Sequence, residues 1–167
     1  MSDFNAVLRN KGPRRPLALL LAGALLAPGC GNDSPTVPSG AARSAIEVTV
    51  DPSPVPGSQS PLTGVVSVGY KVVITETNGL GGEVLFVSSQ IYDPETGLQV
   101  ALTYFDGADL VVFVGSKRVD PLGTLIVPQT ASYVLPDYRK PAQLAVNVQM
   151  KDDRGNLLNQ SVLLKIE

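Results

Sequence analysis

The chain of 167 residues has no histidine, no tryptophan and a single cysteine. Without histidine there is no Ser-His-Asp or Cys-His relay, no H-E-x-x-H zinc site and no ordinary general base near neutral pH. Without a second cysteine no disulfide forms within the chain, so the fold must hold by its core. Positive charge is also scarce. Residues 30–167 keep nine of the thirteen Lys and Arg but fourteen of the fifteen Asp and Glu, a net charge of −5. An acidic domain of this kind has no electrostatic footprint for nucleic acid. These absences point away from an enzyme and away from any cofactor, and toward a binding or structural role.

The first thirty residues have three parts. Arg9, Lys11, Arg14 and Arg15 carry positive charge. Residues 16–27 then run without any charge, and small residues Ala27 and Gly29 precede Cys30. Twelve apolar residues are too few for a permanent bilayer span, which needs about 20. The pattern is that of a secretory leader with a small-residue cleavage site. The stretch Leu26-Ala27-Pro28-Gly29-Cys30 resembles the bacterial lipobox, in which a small residue precedes the modified cysteine. That resemblance implies cleavage between Gly29 and Cys30 and fatty acylation of Cys30. The membrane then becomes a partner through the acyl chains, each buried CH₂ adding about 0.8 kcal/mol of affinity. It also implies an extracytoplasmic, lipid-anchored place in the cell envelope. Gly31, where an inner-membrane lipoprotein carries Asp, favours the outer membrane by resemblance to proteobacterial sorting.

Three segments follow: a signal peptide over 1–29, a lipidated cysteine and flexible tether over 30–44, and a folded domain over 45–167. The tether is small, polar and proline-bearing, and as a coil it spans about 20 Å. From residue 45 the texture changes. Short runs rich in Val, Ile and Leu are punctuated by Gly, Pro, Asn and Asp every ten or so residues. No run of a dozen residues keeps helical spacing. Short strands with frequent turn signals predict an all-β sandwich or barrel.

Strands are expected over Ala45–Val50, 65–77, 83–92 with Leu85, Val87 and Ile91 on its apolar side, Leu98–Tyr104, Leu110–Val114 and Gly123–Val127, with an extended piece over Ala131–Leu135. A last hairpin alternates through Leu144, Val146, Val148 and Met150, turns at 152–156, and returns through Leu158, Val162, Leu164 and Ile166. The prolines at 52, 54 and 56 cannot donate to a ladder and mark an edge or a crossing between sheets. Seven to eight strands in about 123 residues suit an immunoglobulin-like antiparallel β-sandwich of about seven strands in about 100. The proline-rich corner and the ending Val148–Asn156 are similar to bacterial extracytoplasmic immunoglobulin-like or fibronectin-III-like domains. The resemblance implies that fold but no particular function.

Candidate chemistry is sparse. Asp152, Asp153 and Asn156, and separately Asp93 and Glu95, could contribute calcium ligands, but acidic residues in turns usually cap the turn. Asp106 and Asp109 could form a carboxylate pair or a turn. Tyr104 with Phe105, and Tyr133 with Tyr138, could form aromatic platforms or fill a core. Lys117-Arg118 and Arg139-Lys140 read as solvated loop doublets. The leading expectation is a non-catalytic envelope lipoprotein whose domain binds a protein partner or serves as a structural module. The alternative is a carbohydrate- or calcium-binding module. Mass spectrometry of protein from its native host tests the anchor: the expected N-terminal residue is acylated Cys30, and Cys30→Ser abolishes the lipid mass.

Overall fold

Eleven residues in a row set the frame. Val66, Val68, Tyr70, Val72, Ile74 and Glu76 are buried, while the residues between them face outward. Strict alternation over this length forces an extended strand with one buried face. The computed structural model describes residues 43–167 apart from Pro136, Tyr138 and Arg139. The expectations for Gly29, Cys30, the leader, most of the tether, Tyr138 and Arg139 fall outside the described residues.

Strand β1 (Ile46–Asp51) and strand β2 (Gly57–Gln59) both pair antiparallel with one edge of β3 (Val66–Glu76). Strand β7 (Thr124–Tyr133) pairs with the other edge of β3. The second sheet runs β5 (Gln99–Asp106), β4 (Gly82–Tyr92), β8 (Ala142–Asp152), β9 (Leu157–Ile166). A short β6 (Arg118–Val119) continues the β5 edge along Gly82 and Glu83 of β4. The chain crosses between sheets from β3 to β4, returns from β6 to β7 and crosses again from β7 to β8, which gives two antiparallel sheets packed as a sandwich.

The proline-rich corner is both an edge and a crossing. After β1 the chain leaves β3 and reaches the second sheet, where the Val55 amide donates to the Lys165 carbonyl at 3.3 Å and the Glu167 amide donates back to Val55 at 2.9 Å. It then returns to β3 as β2. In the core, Val72 and Val127 of the first sheet and Val87, Leu144, Val146 and Val148 of the second are buried. One polar pair shares this interior: the Tyr70 hydroxyl donates to Gln129 Oε1 at 3.0 Å.

Three expectations need correcting. Residues 110–114 are not a strand but belong to helix α1 (Gly107–Val114). Asp106 caps it by accepting from the Ala108 and Asp109 amides, and Asp109 accepts back from the Asp106 amide. This reciprocal capping box starts the helix, and Gly115 at φ 85° ends it. The segments 123–127 and 131–135 are one strand, β7, which runs through Pro128. An edge strand tolerates a residue without an amide donor. Leu85 does not continue the buried alternation of β4. It is the extra residue of a bulge, so the buried set shifts from Val84 to Val87 and Ile91.

Glu76 is the one acid in the buried phase of β3. Its Oε1 accepts from the Ser44 hydroxyl at 3.0 Å, the Asn78 amide at 2.9 Å and the Ala45 amide at 3.5 Å. Its Oε2 accepts from the Gly79 amide at 2.8 Å and the Leu122 amide at 2.9 Å. Burial alone would raise its pKa. The donated hydrogen bonds, from Leu122, Asn78, Ser44 and Gly79, outweigh burial and hold the pKa at about 2, against an ordinary value of 4.5. A carboxylate depressed in this way stabilises the fold above pH 4.5, and the contribution fades as pH falls toward 2. Glu76→Gln is therefore expected to lower the unfolding free energy by about 1–3 kcal/mol at pH 7. In urea titrations the gap to wild type should close as the pH approaches 2.

Candidate binding face

The antiparallel registers set out the outward side of the β5-β4-β8-β9 sheet in rows. One row reads Asp106, Phe86, Gln149, Asn159. The next reads Tyr104, Ser88, Asn147, Ser161, and the third Leu102, Gln90, Ala145, Leu163. A fourth ends in Tyr92, Gln143, Lys165. Asp106 and Lys165 lie at opposite corners, and every residue between them is uncharged. A charged row, Arg118, Glu83 and Lys151, bounds the face at one end.

The side chains across these rows are tied to one another. Gln149 Nε2 donates to Asn159 Oδ1 at 2.8 Å, and the Ser161 hydroxyl donates to Asn147 Oδ1 at 2.7 Å. The Tyr92 hydroxyl donates to Gln90. Phe86 and Tyr104 stack with ring centroids 5.8 Å apart and planes 24° from parallel. Cross-strand pairs of this kind order the side chains on the surface. The result is an uncharged surface of amides, hydroxyls and aromatic rings, with exposed Leu102 and Leu163 at the two edges of one row. It offers hydrogen-bond donors and acceptors beside exposed ring faces. Tyrosine, serine and asparagine are the residues that antibody combining sites favour, because they supply contact area at low entropic cost.

The structure pairs the aromatic candidates differently from the sequence. Tyr104 faces outward against Phe86, and Phe105 turns to Phe113 of α1, with centroids 5.6 Å apart. Tyr133 is buried at the end of β7, and burial pushes its phenol pKa up. It lines a cleft of about 370 Å³ with Val66, Leu135, Pro141, Lys165 and Ile166.

The acidic candidates serve their own turns. The Asp93 carboxylate accepts from the Glu95 amide at 3.0 Å and the Thr96 hydroxyl at 2.9 Å, and these bonds lower its pKa. Glu95 pairs with Lys140, which raises the lysine pKa. Asp152 accepts from the Asn156 amide at 2.8 Å, Asn156 Nδ2 at 2.9 Å and the Arg154 amide at 3.0 Å. Asp153 is gripped by both terminal nitrogens of Arg118, at 2.9 and 2.8 Å, and its pKa falls as a result. Asp106 and Asp109 are the helix cap already described. Lys117 pairs with Glu83 at 2.9 Å. Among the described residues no three His, Cys, Asp or Glu converge as a metal site. Sequence reasoning missed Ser44 and Glu76. The signal for Glu76 was present: it continues the buried phase of Val72 and Ile74.

No protein-family model matches this chain, and no curated protein matches it. Solved structures do. A protein designated ApaA from Bordetella pertussis is 15% identical, with a TM-score of 0.51, covering 74% of this chain and 94% of its own. The X-ray structure of a structural-genomics target, SoR45, is 13% identical, with a TM-score of 0.50, covering 72% of this chain and 84% of its own. At these identities the likeness shows the fold alone.

The face residues do little for folding. Asn159→Ala and Leu163→Ser are each expected to change the unfolding free energy by less than about 0.5 kcal/mol, read by chemical denaturation.

Proposed function

We propose that this protein is a non-catalytic lipoprotein of the bacterial cell envelope, anchored through acyl chains on Cys30. Its sandwich acts as a binding module for a protein partner, and the partner is recognised by the outward face of the β5-β4-β8-β9 sheet. The observation that carries the reading is the run of uncharged side chains across four strands, hydrogen-bonded in pairs between β8 and β9 and stacked between β4 and β5. A sheet surface with no such task is ordinarily dressed in mixed charge for solubility. The opposite sheet does carry Glu47, Asp51 and Lys71 on its outward side.

A second reading, a neutral glycan as ligand, has one observation in its favour. The Phe86–Tyr104 stack lies beside a file of amides, which is the pairing of ring face and hydrogen-bonding groups that sugars require. Both readings use the same face and differ in what it holds.

The test is a photoreactive amino acid placed at Ser161, with a second version at Thr130 on the outward side of β7. Irradiation of intact host cells is expected to give a discrete polypeptide adduct from position 161 and none from 130. An adduct that is heterogeneous and removed by glycosidases would assign the face to a glycan. Adducts from 130 alone, or from neither position, would overturn the face as the binding surface.

A further inference from the structure

We propose that the end of the sandwich where the tether leaves lies against the bilayer that holds the acyl chains, with Leu122, Val112 and Phe113 in the lipid interface. This rests on the lipoprotein reading above and goes beyond it by giving the domain a second, apolar contact with the membrane.

Three exposed apolar side chains belong to this end of the fold. The Glu76 carboxylate receives Ser44, the first residues of the folded chain, on one oxygen and the Leu122 amide on the other. Asn78 Nδ2 also donates to the Arg43 carbonyl at 2.6 Å, which fixes the point of exit. Leu122 is thus held beside the place where the chain departs. Its side chain is 69% exposed and its φ is 55°, a left-handed conformation that suits glycine or asparagine far better than leucine. Neither packing nor turn geometry accounts for leucine here.

Helix α1 leads from the end of β5 to β6, which pairs with Gly82 and Glu83 just after the turn that Glu76 holds. Leu110 is the helix residue buried in the core. Val112 and Phe113 are 75% and 67% exposed. Val114 also packs against the core and Phe113 leans on Phe105, yet the outer side of the helix still leaves Val112 and much of Phe113 to solvent, surface to spare for another contact.

The occupant follows from chain length. Twelve residues separate Cys30 from Arg43. Thirteen peptide steps, at about 3.5 Å each at full extension, keep this end within about 45 Å of the acylated residue whatever conformation they take. Tethering at that range corresponds to an effective concentration in the millimolar regime, so weak apolar contacts suffice. The domain carries exposed leucines at the far end too, Leu62 among them. Leu62 lies in the turn before Val66, at the opposite end of β3 from Glu76, and the tether does not hold it near lipid. With the tether end down, the neutral sheet face stands clear of the lipid and open to a partner.

The acylated protein itself supplies the test. Cys30 is the only native cysteine, so acylation leaves any introduced cysteine as the one free thiol. Phe113→Cys, Leu122→Cys, Leu62→Cys and Thr130→Cys are each labelled with an environment-sensitive dye. Each is reconstituted in vesicles of phosphatidylethanolamine and phosphatidylglycerol. Dyes at 113 and 122 are expected to shift to the blue and lose most of their emission to a nitroxide on the lipid acyl chain. Dyes at 62 and 130 are expected to do neither. Vesicle-bound protein with the same emission at all four positions would overturn lipid docking while leaving the anchor intact. A blue shift at 113 that resists the lipid nitroxide and vanishes on dilution would mean that a second copy covers the helix, and it overturns the proposal as well. Failure to float with vesicles, together with a titratable Cys30 thiol, would remove the anchor and the docking with it.

Discussion

A single buried carboxylate organises one whole end of this sandwich. Glu76 collects donors from the start of the folded chain, from the turn between β3 and β4, and from the turn before β7. No packing contact could join these segments as tightly, because each presents backbone N–H groups that must find an acceptor once water is excluded. A charged group is suited to that place, since one carboxylate has lone pairs enough for all of them. Ser44 extends the arrangement to the second sheet, as its amide approaches Asp152 at 3.5 Å. The β8–β9 hairpin therefore shares a partner with the β3–β4 turn. Loss of the charge on Glu76 removes the common acceptor from all of these segments at once.

The consequence is a division of labour by position. The core is mostly aliphatic packing, with valines contributed by both sheets and the Tyr70–Gln129 pair among them. The tether end is polar at its centre and apolar at its rim, through Leu122 and the outer side of α1. The sheet made by β5, β4, β8 and β9 keeps charge at its margins and amides in its middle. The proposed role, a binding module on a lipid anchor, would use these same separations: a packed interior, a fixed point of chain exit, and an uncharged outward surface.

Much of the fold could be read from residue order because its code is local. The alternation through Val66–Ile74 and through Leu144–Met150 admits only strands, and the glycines and prolines between them admit only turns. Helix α1 escaped because its run Leu110-Val-Val-Phe-Val has the composition of a strand. What makes it a helix lies outside the run, in the reciprocal bonds of Asp106 and Asp109 and in Gly115. The bulge at Leu85 escaped because a one-residue insertion is defined by the partner strand. The binding face was less legible than the fold. Tyr104 stood out as an aromatic, but its neighbours Asn147, Ser161 and Gln149 come from strands distant in sequence. Only the registers bring them into rows. Asp93, Asp106 and Asp152 were visible as acids, and their turn and cap roles follow from residues two to four positions away.

The direct test of this picture is the titration of the Glu76 side-chain carboxyl, followed by its carbon chemical shift in labelled protein as the pH is lowered. A midpoint near 2 is expected, with the Leu122, Asn78 and Gly79 amide signals moving in step. A midpoint at the ordinary glutamate value near 4.5, with those amides unmoved, would contradict the claim that this charge holds the end of the sandwich together.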